Sequence, residues 1–132
     1  GVQQLPGAEY AAREVCTDKN SITGELAGAY PPIPGLTTYR RCVSVGDQGI
    51  ALRDETDYPG IVELTLLTEQ KPVPTADGFA VGTLGGIRFD PDAATAAVTP
   101  VPITDPRLRT AWPETIYKIT LHFQKMLSLT LY

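Results

Sequence analysis

Hydrophobic and polar residues alternate along most of the chain, and a period of two predicts β-strands. In Ile61 to Thr68, IVELTLLT, the side chains of Val62, Leu64 and Leu66 share one face while Glu63 and Thr65 point away. In Thr37 to Val45, TTYRRCVSV, the apolar face holds Tyr39, Val43 and Val45, with Arg41 among them. Ile50 and Leu52 are paired in the same way, and Gly46-Asp47-Gln48-Gly49 supplies a hairpin turn between the two runs. The pattern predicts a three-strand meander from Thr37 to Thr68.

Further along, Gly78 to Leu84 and Ile87 to Asp90 flank Gly85-Gly86, a two-residue hairpin signal. Thr95 to Ile103 is extended and carries Pro100 and Pro102, which places it at a sheet edge or a bulge. Asp105-Pro106-Arg107-Leu108 predicts one short helical turn near residues 105–111, with Asp105 as N-cap and Pro113 as the stop. The run from Ile116 to Tyr132 alternates too long for one strand, so a turn is expected near Gln124-Lys125. Eight or nine short strands with almost no helix predict an all-β protein, an antiparallel two-layer β-sandwich, with residues 1–132 as one domain.

Composition sharpens this in a few places. With 42% hydrophobic and 20% charged residues the chain suits a globular core, and its 12 Gly and 12 Pro fall between apolar runs as loop punctuation. No apolar run approaches the ~18 residues that span a bilayer, so no membrane partner is expected. A net charge of −4, with Arg40-Arg41 as the only basic pair, argues against nucleic acid. It also opposes an anionic polysaccharide unless a local basic patch forms. No charged segment followed by an apolar one marks a signal peptide, and the compartment stays open. Cys16 and Cys42 either form one disulfide or stand as partly buried free thiols, the second reading being preferred.

Candidate chemistry is concentrated in Arg53 to Gly60, RDETDYPG. Asp54, Glu55 and Asp57 lack the alternating ligand order of a calcium loop, whereas a turn accounts for every residue. No metal and no cofactor are expected. Asp54 shares parity with Ile50 and Leu52, so it points inward and needs a cation; Arg41 on the neighbouring apolar face is the expected partner. His122 is the only histidine and falls opposite Leu121 and Phe123, at the surface. Ser44 and Ser128 lack a nucleophile elbow, and Gly82 to Gly86 lacks the lysine of a phosphate loop. Catalytic residues are therefore not expected. Tyr30, Tyr58 and Trp112 are candidate sugar contacts, because pyranose rings offer apolar C–H faces to aromatic rings. The plainer reading is preferred: Trp112 covers the core edge and Tyr30 anchors Pro31-Pro32.

The segments ELAGAYPP, TTYRRCVSVGDQGIALRDE and IVELTLLTEQKP, spread over Glu25 to Pro72, resemble the C-terminal β-domain of heparinase II/III-like polysaccharide lyases, as does the later ITDPRLRTAWPETIYKITL. The resemblance implies a C-terminal fragment of a larger chain, partnered by a catalytic α-helical toroid. It also implies a parent enzyme that cleaves uronate-containing glycans by β-elimination, so acidic polysaccharide enters as a partner by this route. Such lyases use Tyr and His for proton transfer, and none of their catalytic segments is recognisable here. An accessory structural domain is the leading expectation. The alternatives are a carbohydrate-binding module using Tyr58 and Trp112, and a structural β-protein that forms homo-oligomers through its apolar C-terminal strand.

Overall fold

The computed structural model describes residues 1–83 and 85–132. Its eleven strands are β1 (Arg13–Thr17), β2 (Ser21–Glu25), β3 (Tyr39–Gly46), β4 (Gly49–Thr56), β5 (Val62–Thr68), β6 (Pro72–Thr75), β7 (Gly78–Val81), β8 (Gly85–Phe89), β9 (Ala94–Pro102), β10 (Thr115–Phe123) and β11 (Met126–Leu131). Two 3-10 turns, Ala27–Ala29 and Leu108–Thr110, are the helical elements among the described residues. Eight strands form one sheet in the order β1-β2-β3-β4-β11-β8-β7-β6, and three form the other, β5-β10-β9. All pairings are antiparallel. The protein is an all-β, two-sheet sandwich.

Alternation builds the core. From β10 come Ile119 and Leu121, and from β11 come Leu127 and Leu129; Leu64 of β5 packs with them, as do Phe79 and Ile87 from β7 and β8. Ile119, Leu121 and Leu127 are fully buried. Leu66, Phe89 and Leu131 touch both groups and make them one layer between the sheets.

The turn expected at Gln124-Lys125 is present, and Lys125 takes a left-handed φ of 61° to make it. This turn does more than reverse the chain, because β10 and β11 lie in different sheets. The chain also crosses between sheets from β4 to β5, and the Thr56 N–H donates to the Lys125 carbonyl at 2.8 Å, tying the two crossings together.

The expected meander is therefore only half present. β3 and β4 form the hairpin through residues 47–48, and Gly49 at φ 112° is required there because a Cβ would meet the Leu131 carbonyl oxygen. β5 leaves for the other sheet and pairs with β10, while β11 takes its place beside β4. Period-two alternation fixes which face a residue occupies but not which strand lies alongside. The turn placed at Gly85-Gly86 also moves: Val81 pairs with Gly85 and Ala80 with Gly86, so both glycines belong to β8. Leu84, the end of the expected strand, lies outside the described residues. β9 is an edge strand, as its prolines required.

β11 pairs with β4 along Met126–Leu131 and with β8 along Leu129–Leu131.

Candidate functional site

The eight-stranded sheet is wider than the three-stranded sheet that covers it. Ile22, Val43 and Leu52 lie side by side across β2, β3 and β4, with Leu129 of β11 next in the row. These residues therefore share the face that carries the core. Toward β11 this face is sealed by β5 and β10, and Leu129 is 3% exposed. Toward β1 it is bare: Ile22 is 47% exposed and Val45 59%. Val15 and Ile50 are exposed as well. Ala12, Val15, Ile22, Leu26 and Val43 line a shallow, almost wholly apolar depression there.

Between the sealed and bare parts lies a polar cluster. Arg41 and Asp54 are cross-strand partners on β3 and β4. Arg41 Nε donates to Asp54 Oδ1 and Nη2 donates to Oδ2, both at 2.7 Å, so the pair is bidentate. The Tyr39 hydroxyl donates to Asp54 Oδ2 at 2.8 Å, and Arg41 Nη2 also reaches that hydroxyl at 3.3 Å. Asp54 is completely buried while Arg41 keeps 31% of its side chain in solvent. Three charge-assisted donors satisfy a carboxylate that could not otherwise be buried here. Burial, followed by the Asp54 charge, holds the Tyr39 hydroxyl far above the ordinary tyrosine range. The hydrogen bonds to Asp54 raise Arg41 against the opposing effect of burial. A phenol held protonated and a guanidinium held charged are poorly suited to removing a proton near neutrality.

The other carboxylates of RDETDYPG face elsewhere. Glu55 pairs with Arg53 on the outer surface. Asp57 Oδ1 accepts from the N–H groups of Thr37 and Thr38 at 2.9 and 3.0 Å, and Oδ2 accepts from the Thr37 hydroxyl. The Thr37 hydroxyl, then the two backbone donors, pull the Asp57 carboxyl from the ordinary 3.8 down to about 2. Because the folded pKa is the lower one, this carboxylate favours the fold above pH 3.8, and its contribution disappears as pH falls toward about 2. Asp57→Asn should therefore flatten the acid arm of the urea midpoint measured against pH in that window. An unchanged slope would mean that the cap does not form in solution.

Tyr30 stacks on Tyr39 with centroids 6.1 Å apart and planes at 20°. Tyr58 folds back over Gly60, where any Cβ would strike its ring and hydroxyl at 2.6–2.8 Å. These two half-buried tyrosines meet in a cleft of about 190 Å³ at the corner where β4 crosses to β5, with Leu36, Ile61 and Glu63 among its walls. Trp112 is not part of it. Trp112 precedes β10 whereas the cleft borders Val62, which pairs with Phe123 at the other end of that strand, roughly 26 Å away along the backbone. The candidate aromatic trio is thus split in two. Trp112 is 47% exposed, closing the 3-10 turn through its N–H to the Leu108 carbonyl at 2.8 Å. Asp105 caps that turn by accepting from the Arg107 N–H at 2.8 Å.

His122 is part-exposed, and its Nε2 lies 3.5 Å from Glu63 Oε2 across the β10–β5 pairing. No hydrogen bond joins it to a serine, tyrosine or cysteine among the described residues. Among those residues, too, no three His, Cys, Asp or Glu side chains gather as a metal site would need. Cys16 and Cys42 both pair with Thr23, from opposite sides of β2. Two strand spacings, about 10 Å, separate them. That exceeds the ~7 Å Cα separation a disulfide can bridge, and both thiols are free, Cys42 partly buried and Cys16 exposed at the edge strand. Alternation had no means of showing the cleft, because it arises from two loops brought together by the crossing between sheets.

Compared with known protein families and with curated proteins, the chain matches none.

Proposed function

We propose that the chain is an accessory β-sandwich module that packs against the catalytic α-helical toroid of a heparinase II/III-like polysaccharide lyase and supplies no catalytic residue itself. The parent enzyme would cleave uronate-containing glycans by β-elimination. The observation that carries this reading is the bare inner face of β1 to β4 on the side away from β11. It continues the core surface beyond the covering sheet and exposes Ile22, Val45 and Ile50 together. A contiguous apolar sheet face is stabilised by a second body packed on it. The sequence segments from Glu25 to Pro72 point to a toroid as that body.

Support for a non-catalytic role comes from the fate of the reactive groups. Tyr39, Arg41 and Asp54 satisfy one another, and the charged partner of His122 among the described residues is Glu63.

Sequencing the transcript that encodes this chain should reveal several hundred helix-forming residues upstream. The full-length product should release unsaturated uronate ends from an acidic glycan. Val45→Asp in that product should reduce its thermal stability and its yield of active enzyme. Absence of an upstream helical region, or full activity and stability with Val45→Asp, would remove the proposal.

A further inference from the structure

The geometry points to the corner cleft as a binding subsite for one uncharged pyranose unit. It stands independently of how the bare face is covered, because the cleft lies at the crossing from β4 to β5 and uses other residues.

Size comes first. At about 190 Å³ the cleft is smaller than the ~300 Å³ where drug-sized pockets begin, so it has room for a single ring. Its walls are the second consideration. Tyr30, backed by the buried Tyr39, and Tyr58 combine with Ile33, Leu36 and Ile61 to give apolar surfaces, and the apolar C–H face of a pyranose packs on such surfaces. The tyrosine rings are fixed before any ligand arrives: Tyr30 by its stack on Tyr39, and Tyr58 by its seat on Gly60. Fixed walls reduce the ordering cost of binding.

Polar groups set the class of sugar. The hydroxyls of Tyr30 and Tyr58 make no hydrogen bond to the protein among the described residues, so both can donate to or accept from ring hydroxyls. Glu63 adds a carboxylate acceptor, half exposed at the rim, whose Oε1 also accepts from the Thr65 hydroxyl at 3.3 Å and whose Oε2 lies 3.5 Å from His122 Nε2. No lysine or arginine lines the cleft, and the cation among its described walls is the terminal ammonium of Gly1. With one carboxylate and one ammonium the lining carries no net charge, so it offers no charge attraction to a uronate or sulfated sugar and selects a neutral one through hydrogen bonds to its hydroxyls.

A carboxylate among tyrosines also suggests an ammonium ligand held by cation–π contacts. An ammonium cage needs rings that face the cation from different directions. Tyr30 and Tyr39 are stacked on each other at 20°, so they present a slab rather than two walls of a cage. The apolar C–H face of a pyranose chair fits a slab.

The test uses the chain as it stands, titrated with methyl β-glucoside while the tyrosine ring protons are followed by NMR. Methyl glucuronoside and tetramethylammonium chloride serve as the acidic and cationic comparisons. The glucoside should shift the Tyr30 and Tyr58 signals with millimolar affinity and leave those of Tyr117 unmoved. Tyr58→Ala should weaken this binding about tenfold, while Tyr58→Phe, which keeps the ring, should retain most of it. Methyl glucuronoside should bind no more tightly than the glucoside at neutral pH, and Glu63→Gln, which removes the carboxylate that balances the Gly1 ammonium, should make it the tighter of the two. Glu63 is half exposed, so its variant remains informative even where Tyr58→Ala fails to fold. No glucoside-dependent shift at Tyr30 and Tyr58, undiminished binding by a folded Tyr58→Ala, or a preference for tetramethylammonium would overturn the subsite.

Discussion

Asp54→Ala is expected to lower the free energy of unfolding by about 3 kcal/mol. The substitution removes a fully buried carboxylate and leaves two donors behind, the Arg41 guanidinium and the Tyr39 hydroxyl. The loss should fall at the low end for a buried pair because Arg41 retains 31% exposure and can turn its charge toward water. Replacing both partners together, Asp54→Leu with Arg41→Met, should restore much of the loss, since a pair of apolar groups leaves no charge uncompensated. Urea denaturation of the two single variants and the double variant would measure the coupling. A cost below about 1 kcal/mol for Asp54→Ala would show that the cluster contributes little to holding β3 against β4.

A larger loss, about 3 to 4 kcal/mol, is expected from Leu121→Ala. Leu121 is 0% exposed, in the middle strand of the smaller sheet, and packs in the cluster with Leu64, Leu127 and Leu129. Removing three carbons there leaves a cavity walled by both sheets, and their paired backbones restrict its collapse. The contrasting variant is Leu67→Ala on the adjacent strand, where the side chain is 62% exposed and the change should stay within about 0.5 kcal/mol. Equal effects in the two variants would mean that the three-stranded sheet does not cover the core in solution.

Both predictions draw on features that the sequence made visible to different depths. Inward placement of Arg41 and Asp54 was legible because each shares parity with apolar neighbours, and a buried charge needs an opposite one. The strand interiors, the turn at residues 47–48 and the edge position of β9 were legible for similarly local reasons. Strand partnership was not. Val62, Leu64 and Leu66 alternate in the same way whether β5 lies beside β4 or beside β10, and only long-range packing selects between them. β1, β2 and β6 are short, rich in polar residues or proline, and carry little periodic signal of their own. Tyr30 and Tyr58 belong to separate loops, and their meeting depends on that same choice of partner for β5.

The place of β11 bears on how the molecule is assembled during synthesis. It is the last of the eleven strands in chain order, yet it joins β4 to β8 at the centre of the large sheet. Until it emerges from the ribosome, β1 to β4 form one ribbon and β6 to β8 another, each ending in an open row of backbone donors and acceptors. Leu127, Leu129 and Leu131 then bring their apolar face to the interior in a single late step. Pairing across so many intervening residues is slow, and the exposed edges are open to wrong partners in the interval. Residues 126–131 thus govern the commitment of the nascent chain to its native sheet, and a chain cut before them would be left as two unjoined halves.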